Sequence, residues 1–312
     1  ADANSEIRPR DVEQVMAAAR SAASSYDRQI LHAFEHRFAV DEQDGVRNPV
    51  GLFGAKLESE LHVVTAPNSF LQNWRKALQH AGLEIEGLVL PGVATSFGVL
   101  TNFDRDLGMV LVDIREQHTD VVCCVDGAIR ETWSIPQGAA QMTEKLANRF
   151  GLPWVAAERL KTDCNSIETE VSGAPISVAV THKARTIERQ EVTGILSQEV
   201  KRLFTAVRRS LESSRYFREV SSGITVTGQT ALMEGVLELA ENICNFPVKL
   251  GSLKGITCAP KVTPTPEFTT AVGLLLYQSA MKKTSPLSPI STNGHPLHQL
   301  AHRVKVLLQD YF

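Results

Sequence analysis

Between Met109 and Ile135 the chain runs through three apolar stretches almost without interruption, and no other feature limits the fold as strongly. Met109 to Ile114 and Thr119 to Val125 are short, valine-rich runs. Asp126-Gly127 is a turn dipeptide, and Ala128 to Ile135 follows it as a third strand. The reading is a three-strand meander whose first turn, Arg115-Glu116-Gln117-His118, is entirely polar. Two helices are expected next, Ala140 to Phe150 and Pro153 to Cys164, with Gly151 between them. A weakly patterned strand region lies near Ser172 to Thr181. A long helix then runs from Ile187 to about Arg218 on a stripe of Val192, Leu196, Val200, Leu203, Phe204, Val207 and Leu211. The chain alternates again through a strand at Gly223 to Thr227, a helix at Ala231 to Asn242, a strand at Phe246 to Leu250 and a helix at Glu267 to Ala280.

Before the meander the pattern is different. Asp11 followed by Gln14 resembles a capping box opening an amphipathic helix. From Ile30 the period is two, with His32, Phe34, His36, Phe38 and Val40 on one face, and Leu57 to Val64 forms a second alternating strand. Ser69 and Gln72 open a helix through Trp74 and Leu78 that Gly82 stops, ahead of an apolar strand at Ile85 to Leu90. A small α+β unit therefore feeds an α/β unit. With 312 residues, 43% of them hydrophobic and 21% charged, two or three compact units are expected. A net charge of −3 with no long basic stripe excludes nucleic acid as the main partner. Cys123, Cys124, Cys164, Cys244 and Cys258 show no metal-ligand spacing and read as reduced core thiols of a cytosolic protein. No signal peptide opens the sequence, and no apolar run approaches the roughly 20 residues of a membrane span. Any membrane contact is expected to be peripheral.

The C-terminal segment supplies such a contact. Leu297, Leu300, Ala301, Val304, Leu307, Leu308 and Tyr311, with Phe312 beside them, follow the spacing of one helix face; Arg303 and Lys305 occupy the other. The stretch from Lys282 to Gly294 is rich in Ser, Thr and Pro and reads as a flexible linker. On such a tether the apolar face has two outlets, a bilayer interface with Arg and Lys at the headgroups or docking on the globule.

Candidate chemistry is sparse. His32-Ala33-Phe34-Glu35-His36 matches a zinc-peptidase pattern, but that pattern needs a helix. On a strand the two rings stand about 13 Å apart, too far to share a metal. Asp113 ends one strand of the meander, and Thr119-Asp120 begins the next. A phosphate-binding hairpin carries glycines here, whereas this one offers Arg115 and His118 as side chains and a repelling Glu116. Thr227-Gly228-Gln229-Thr230 follows a strand and precedes a helix, where a backbone approaches a ligand or makes a tight turn.

Several blocks, in order, resemble the bacterial cell-division protein FtsA family: 41–51 (DEQDGVRNPVG), Gly82-Leu83-Glu84-Ile85, 96–101 (SFGVLT), Leu107-Gly108, Val112-Asp113-Ile114, 125–130 (VDGAIR), 157–161 (AERLK), 223–228 and 270–277 (TAVGLLLY). The resemblance implies an α/β, actin-like ATPase (ribonuclease H-like) fold with the FtsA-specific α+β subdomain. It divides the chain into that subdomain at 1–65, a remnant of the first core subdomain at 66–107, and the second core subdomain at 108–164 and 223–281. An inserted subdomain with the long helix follows at 165–222, then a linker at 282–296 and a membrane-targeting helix at 297–312. On this resemblance the chain begins after the family's first strands and first phosphate hairpin.

The implied role is an adaptor that tethers FtsZ filaments by their C-terminal tail to the cytoplasmic face of the inner membrane at the septum. Self-association and contacts with other division proteins belong to that role. In the family, the hairpin carrying Asp113, Thr119 and Asp120 holds phosphate and metal, Glu158 and Lys161 lie by ribose and base, and the Gly228 turn lies under adenosine. The family hairpin Asp-Ile-Gly-Gly-Gly-Thr-Thr-Asp is here 113–120 (DIREQHTD), and Gln229 replaces a second glycine. ATP with magnesium is accordingly expected to bind weakly or not at all, with little hydrolysis. Lys201 and Arg202 remain to attract an acidic peptide, although Glu199 stands where the family has an arginine. The alternatives are an active ATPase whose nucleotide cycle drives polymer turnover, or an inactive paralogue that copolymerises with a complete FtsA.

Overall fold

Period-two alternation through residues 28–40 yields a 13-residue strand that organises the first part of the molecule. The computed structural model describes residues 5–168, 174–180, 183–256 and 265–284. It opens with β1 (Ser5–Glu6), α1 (Pro9–Ala23), β2 (Arg28–Val40), β3 (Gln43–Val46), β4 (Phe53–Gly54), β5 (Leu57–Pro67) and α2 (Asn68–His80). β2 is the centre of an antiparallel sheet of order β3-β2-β5, while β1 and β4 pair separately. The expected face is present, with His32, His36, Phe38 and Val40 buried and Phe34 half-buried. Ring stacking runs along it at centroid distances of 5.3 Å from His32 to Phe34, 6.1 Å from Phe34 to His62 and 6.0 Å from His62 to His36. Two intervening rings thus separate the histidines of the zinc-like pattern. Among the described residues no group of His, Cys, Asp and Glu is placed to hold a metal ion.

The second layer comprises α3 (Pro91–Val99), α4 (Asn102–Asp106), β6 (Met109–Ile114), β7 (Thr119–Val125), β8 (Ala128–Ile135), α5 (Ala139–Phe150), α6 (Trp154–Cys164), β9 (Ile176–Val180), β10 (Lys183–Ile187), α7 (Arg189–Glu212), β11 (Ile224–Thr227), α8 (Val236–Cys244), β12 (Val248–Leu250) and α9 (Thr269–Thr284). The meander forms as read. It joins a five-stranded sheet of order β12-β11-β6-β7-β8, in which β11 runs parallel to β6 and β12. Every residue of β6 and β7 is buried, because both faces are covered, and this is why those strands read as continuous apolar runs. Val110, Val112, Val121 and Cys123 face α5 to α8, while Leu111, Val122 and Cys124 pack with Val93 and Val99 of α3. The stripe of α7 is fully buried. Cys123, Cys124, Cys164 and Cys244 are free and buried, and burial pushes the Cys124 thiol up to about 12; Cys258 lies outside the described residues.

Several boundaries differ from the sequence reading. Asp11 is not the cap of α1 but lies one turn inside it, its carboxylate accepting the Arg8 backbone N–H at 2.9 Å. Residues 85–90 form no strand, since no neighbouring strand offers them a ladder; the Leu90 N–H instead donates to His32 Nε2 at 2.9 Å. α7 starts at Arg189, because Ile187 belongs to β10, and stops at Glu212 rather than near Arg218. Beyond it the Ser213 hydroxyl bonds the Ser210 carbonyl at 2.7 Å and Ser214 Oγ accepts the Tyr216 N–H at 3.0 Å, local bonds that compete with a helical ladder. Ala231 lies in a 3-10 turn, Gln229–Leu232, and α8 begins only at Val236. Lys282 to Thr284, read as linker, continue α9. Residues from Gln278 onward form a second unit, described only to 284.

A buried cation fastens the small sheet to the large one. Arg130 of β8, only 3% exposed, donates to the carbonyls of Val125 at 3.0 Å and of His36. Asp126, in the left-handed region at φ 53°, receives Arg47 at 2.6 Å, Arg37 at 3.4 Å and Arg130 at 3.7 Å. Nearby, Tyr216 Oη and His36 Nδ1 lie 2.9 Å apart, and His62 Nε2 lies 2.9 Å from Thr132 Oγ1. Burial pulls His32 and His36 down to about 4 and lowers His62 as well. These groups stay neutral in the fold but protonate in the unfolded chain once the pH drops below about 6.5. Their contribution is therefore whole above that pH and is lost progressively toward pH 4. Urea unfolding between pH 8 and 4.5 is expected to show stability falling below about 6.5, with a shallower fall for His32→Gln, which keeps an acceptor for Leu90; identical slopes would contradict this.

Candidate functional site

Register places the candidate residues at one end of the large sheet. Thr227, the last residue of β11, pairs with Asp113 near the end of β6, so the Gly228 turn and the 114–119 hairpin emerge side by side from a parallel pair. Open α/β sheets bind ligands at such carboxyl ends. Gly228 has φ 98°, and a Cβ there would stand 2.1 Å from the Ile114 carbonyl oxygen, so no other residue fits the turn. Two cavities adjoin there. One, of about 440 Å³, is lined by Asp113, Arg115, Glu116, Gly228, Gln229 and Glu267 among others; the other, of about 240 Å³, by Glu158, Lys161, Asn165, Gln229, Thr230 and Met233. Ala139, Gln229 and Thr230 belong to both.

Of the residues singled out in the sequence, Asp113, Gly228, Gln229, Glu158 and Lys161 are brought together at these cavities. Thr119 and Asp120 are not, being buried behind the hairpin. The Thr119 hydroxyl donates to the Gln137 carbonyl at 2.7 Å, and Asp120 accepts the Gly92 N–H at 3.1 Å with Arg115 and His118 each 3.6 Å away. Lys201 and Arg202 sit on the exposed side of α7, where Arg202 bonds Glu199 at 2.6 Å and Lys201 has no ion-pair partner among the described residues. Leu297, Leu300, Ala301, Arg303, Val304, Lys305, Leu307, Leu308, Tyr311 and Phe312 lie outside the described residues.

Sequence reasoning missed Thr95, Thr270 and Glu267. The Thr95 hydroxyl donates to Asp113 Oδ2 at 2.9 Å and lies 2.9 Å from Thr270 Oγ1. That reach depends on α3 and α9 touching backbone to backbone, since a Cβ on Gly273 would stand 1.9 Å from the Ala94 carbonyl oxygen. The one signal available was a threonine inside an otherwise apolar helix. Burial raises Asp113 to about 6 against the opposing pull of Thr95 and Arg115. In the second cavity Lys161 pairs with Glu158 at 2.8 Å, and both bond the Thr143 hydroxyl, at 2.9 Å and 2.5 Å.

Comparison with known proteins places this arrangement. Residues 110–273 match the family profile described as "Cell division protein FtsA", and residues 1–65 match "SHS2 domain inserted in FTSA". The chain belongs to the FtsA family. It is 35% identical to FtsA of Pseudomonas aeruginosa over 98% of this chain and 76% of that one, and 30% identical to FtsA of Escherichia coli K12 over 87% and 67%. Among solved structures it is similar to MreB5 of Spiroplasma citri bound to ADP (TM-score 0.58, 16% identity, 70% of this chain and 67% of that one). It is also similar to a chain of the PilM-PilN type IV pilus biogenesis complex (TM-score 0.57, 17% identity, 91% and 75%). The fold is actin-like.

A nucleotide fits this FtsA-family cleft unevenly. On the adenosine side a carboxylate, an ammonium and the Asn165 amide line a cavity, although Glu158 and Lys161 already satisfy each other. On the phosphate side Asp113, Glu116 and Glu267 face one guanidinium, Arg115. The first N–H groups of α5, which could have met an anion, are taken by the hairpin: Ala139 donates to the Arg115 carbonyl at 2.9 Å and Ala140 to that of Glu116 at 2.8 Å. Three carboxylates against one guanidinium oppose a phosphate at this end. Asp113 meanwhile costs stability when charged. The folded state holds its proton up to about pH 6 and the unfolded chain only to about 3.8, so the penalty is present above pH 6 and vanishes toward pH 4. Asp113→Asn is expected to gain roughly 3 kcal/mol at pH 7.5 and only about 1 kcal/mol at pH 4.5, by chemical denaturation at both. A loss at pH 7.5 would show that the charge is stabilised by something else.

Proposed function

We propose that this chain is an FtsA-type cell-division adaptor that tethers FtsZ filaments to the cytoplasmic face of the inner membrane at the septum and self-associates there. The observation that carries the reading is a cleft whose phosphate end is closed by the chain's own groups, in a chain of a cell-division family. What remains for such a molecule is to hold partners rather than to turn over nucleotide. The division into an SHS2-type subdomain, two core parts, an inserted subdomain around α7, a linker and a terminal helix fits this role. The helix face at 297–312 supplies the lipid anchor, and Lys201 and Arg202 on the exposed side of α7, Lys201 without an ion-pair partner among the described residues, attract an acidic FtsZ tail. ATP with magnesium is a weak ligand at most.

Two measurements separate the adaptor from an ATPase. Co-sedimentation with vesicles of inner-membrane lipid is expected to retain the full chain and to lose most of a chain ending at residue 296; equal retention would remove the anchor. Titration of labelled ATP with magnesium is expected to give no saturation below about millimolar concentrations, a regime of roughly −4 kcal/mol. Micromolar saturation with turnover would restore the ATPase reading.

A further inference from the structure

The small sheet carries an exposed aromatic stripe that the fold does not use. On α2 only Leu71 is buried, by the sheet it covers. At about 100° per residue, Phe70, Trp74 and Ala77 fall within about 60° of one another on a different side of the helix. Phe70 and Trp74 are each 55% exposed and touch edge to face, with ring centroids 6.4 Å apart. Tyr26, fully exposed, sits at the start of the helix, where the Asn68 side-chain amide donates to its carbonyl at 3.0 Å. Large rings exposed side by side gain by being covered.

Charge indicates what does. Asn68–His80 contains Arg75 and Lys76 and no carboxylate, and Lys76 lies about 100° round the helix from Ala77, toward its solvent side. The neighbouring acids are directed elsewhere. Asp27 is held by the Ser25 hydroxyl at 2.6 Å, which lowers its pKa, while Glu84 and Glu86 line a groove on the far side of the helix, where Arg75 donates to Gln29 at 2.8 Å. Aromatic rings and a lysine on a helix without acids match the anionic headgroup layer of a bilayer, where rings sit at the acyl boundary and cations at the phosphates.

We propose that Phe70 and Trp74 of α2, with Tyr26 of the turn before β2, form a second lipid contact, docking the small sheet on an anionic membrane surface. The proposal rests on the adaptor reading for its setting but uses different residues from the terminal helix, so the two can fail separately. The test uses the full chain with vesicles of phosphatidylcholine, with or without phosphatidylglycerol. Phe70→Ser combined with Trp74→Ser, both exposed and harmless to folding, is expected to weaken binding to phosphatidylglycerol vesicles roughly tenfold. Lys76→Glu is expected to weaken binding only when phosphatidylglycerol is present. With brominated lipid, Trp74→Phe should keep the affinity but lose part of the tryptophan quenching. Unchanged affinity in the double variant, or unchanged quenching in Trp74→Phe, overturns the proposal and leaves the stripe to a protein partner. A parallel Leu300→Asp/Leu307→Asp variant that binds like the parent, while the double α2 variant does not, would sink the terminal anchor and sustain this contact.

Discussion

Arg130 is the group on which the arrangement of the molecule turns. A guanidinium 3% exposed is tolerated only when its donors and its charge are answered, and here backbone carbonyls from two different sheets answer the donors while Asp126 answers the charge. Asp126 takes that position by entering the left-handed region at φ 53°, a conformation that Asp tolerates better than most residues. The consequence extends well beyond the joint. With β2 fixed against β8, His32 receives the Leu90 N–H and sets where Pro91 begins α3. α3 in turn brings Thr95 to Asp113. A turn between two strands and a carboxylate in the cleft are thus linked through a short chain of backbone contacts.

The cleft follows a different logic from a phosphate cradle. Cradles work by leaving backbone N–H groups unsatisfied until an anion arrives. In this chain the first N–H groups of α5 are taken by the hairpin carbonyls and the Gly92 N–H by Asp120, while the Thr95 hydroxyl donates to Asp113. Glu158, Lys161 and Thr143 close the same way on the adenosine side.

Those elements whose burial is decided locally were legible in the sequence. The meander, the stripe of α7 and the alternation of β2 all report a face covered over many residues, and hydrophobic period carries that information. Residues 85–90 have the composition of a strand, yet strand formation depends on a neighbour that period cannot reveal. The end of α7 depended on two serine hydroxyls choosing nearby backbone groups. Within the site, Asp113, Glu158, Lys161, Gly228 and Gln229 were identified through family resemblance and do converge. Thr95, Thr270 and Glu267 were not visible, because their relevance comes from α3 and α9 meeting at Gly273, a contact between positions far apart in the chain.

The fold leaves several large apolar side chains exposed, among them Phe53, Phe103 and the two rings of α2. Phe70 and Trp74 contribute little to the core, since Leu71 and the half-buried Leu78 already seat α2 on the small sheet. Exchange of either ring for a polar residue would cost the fold almost nothing and would lower the risk of aggregation. Their exposure on a helix without a single carboxylate is what the proposed lipid contact uses. Water solvates the cations but not the rings, whereas a surface that is apolar in depth and anionic at its rim answers both features at once.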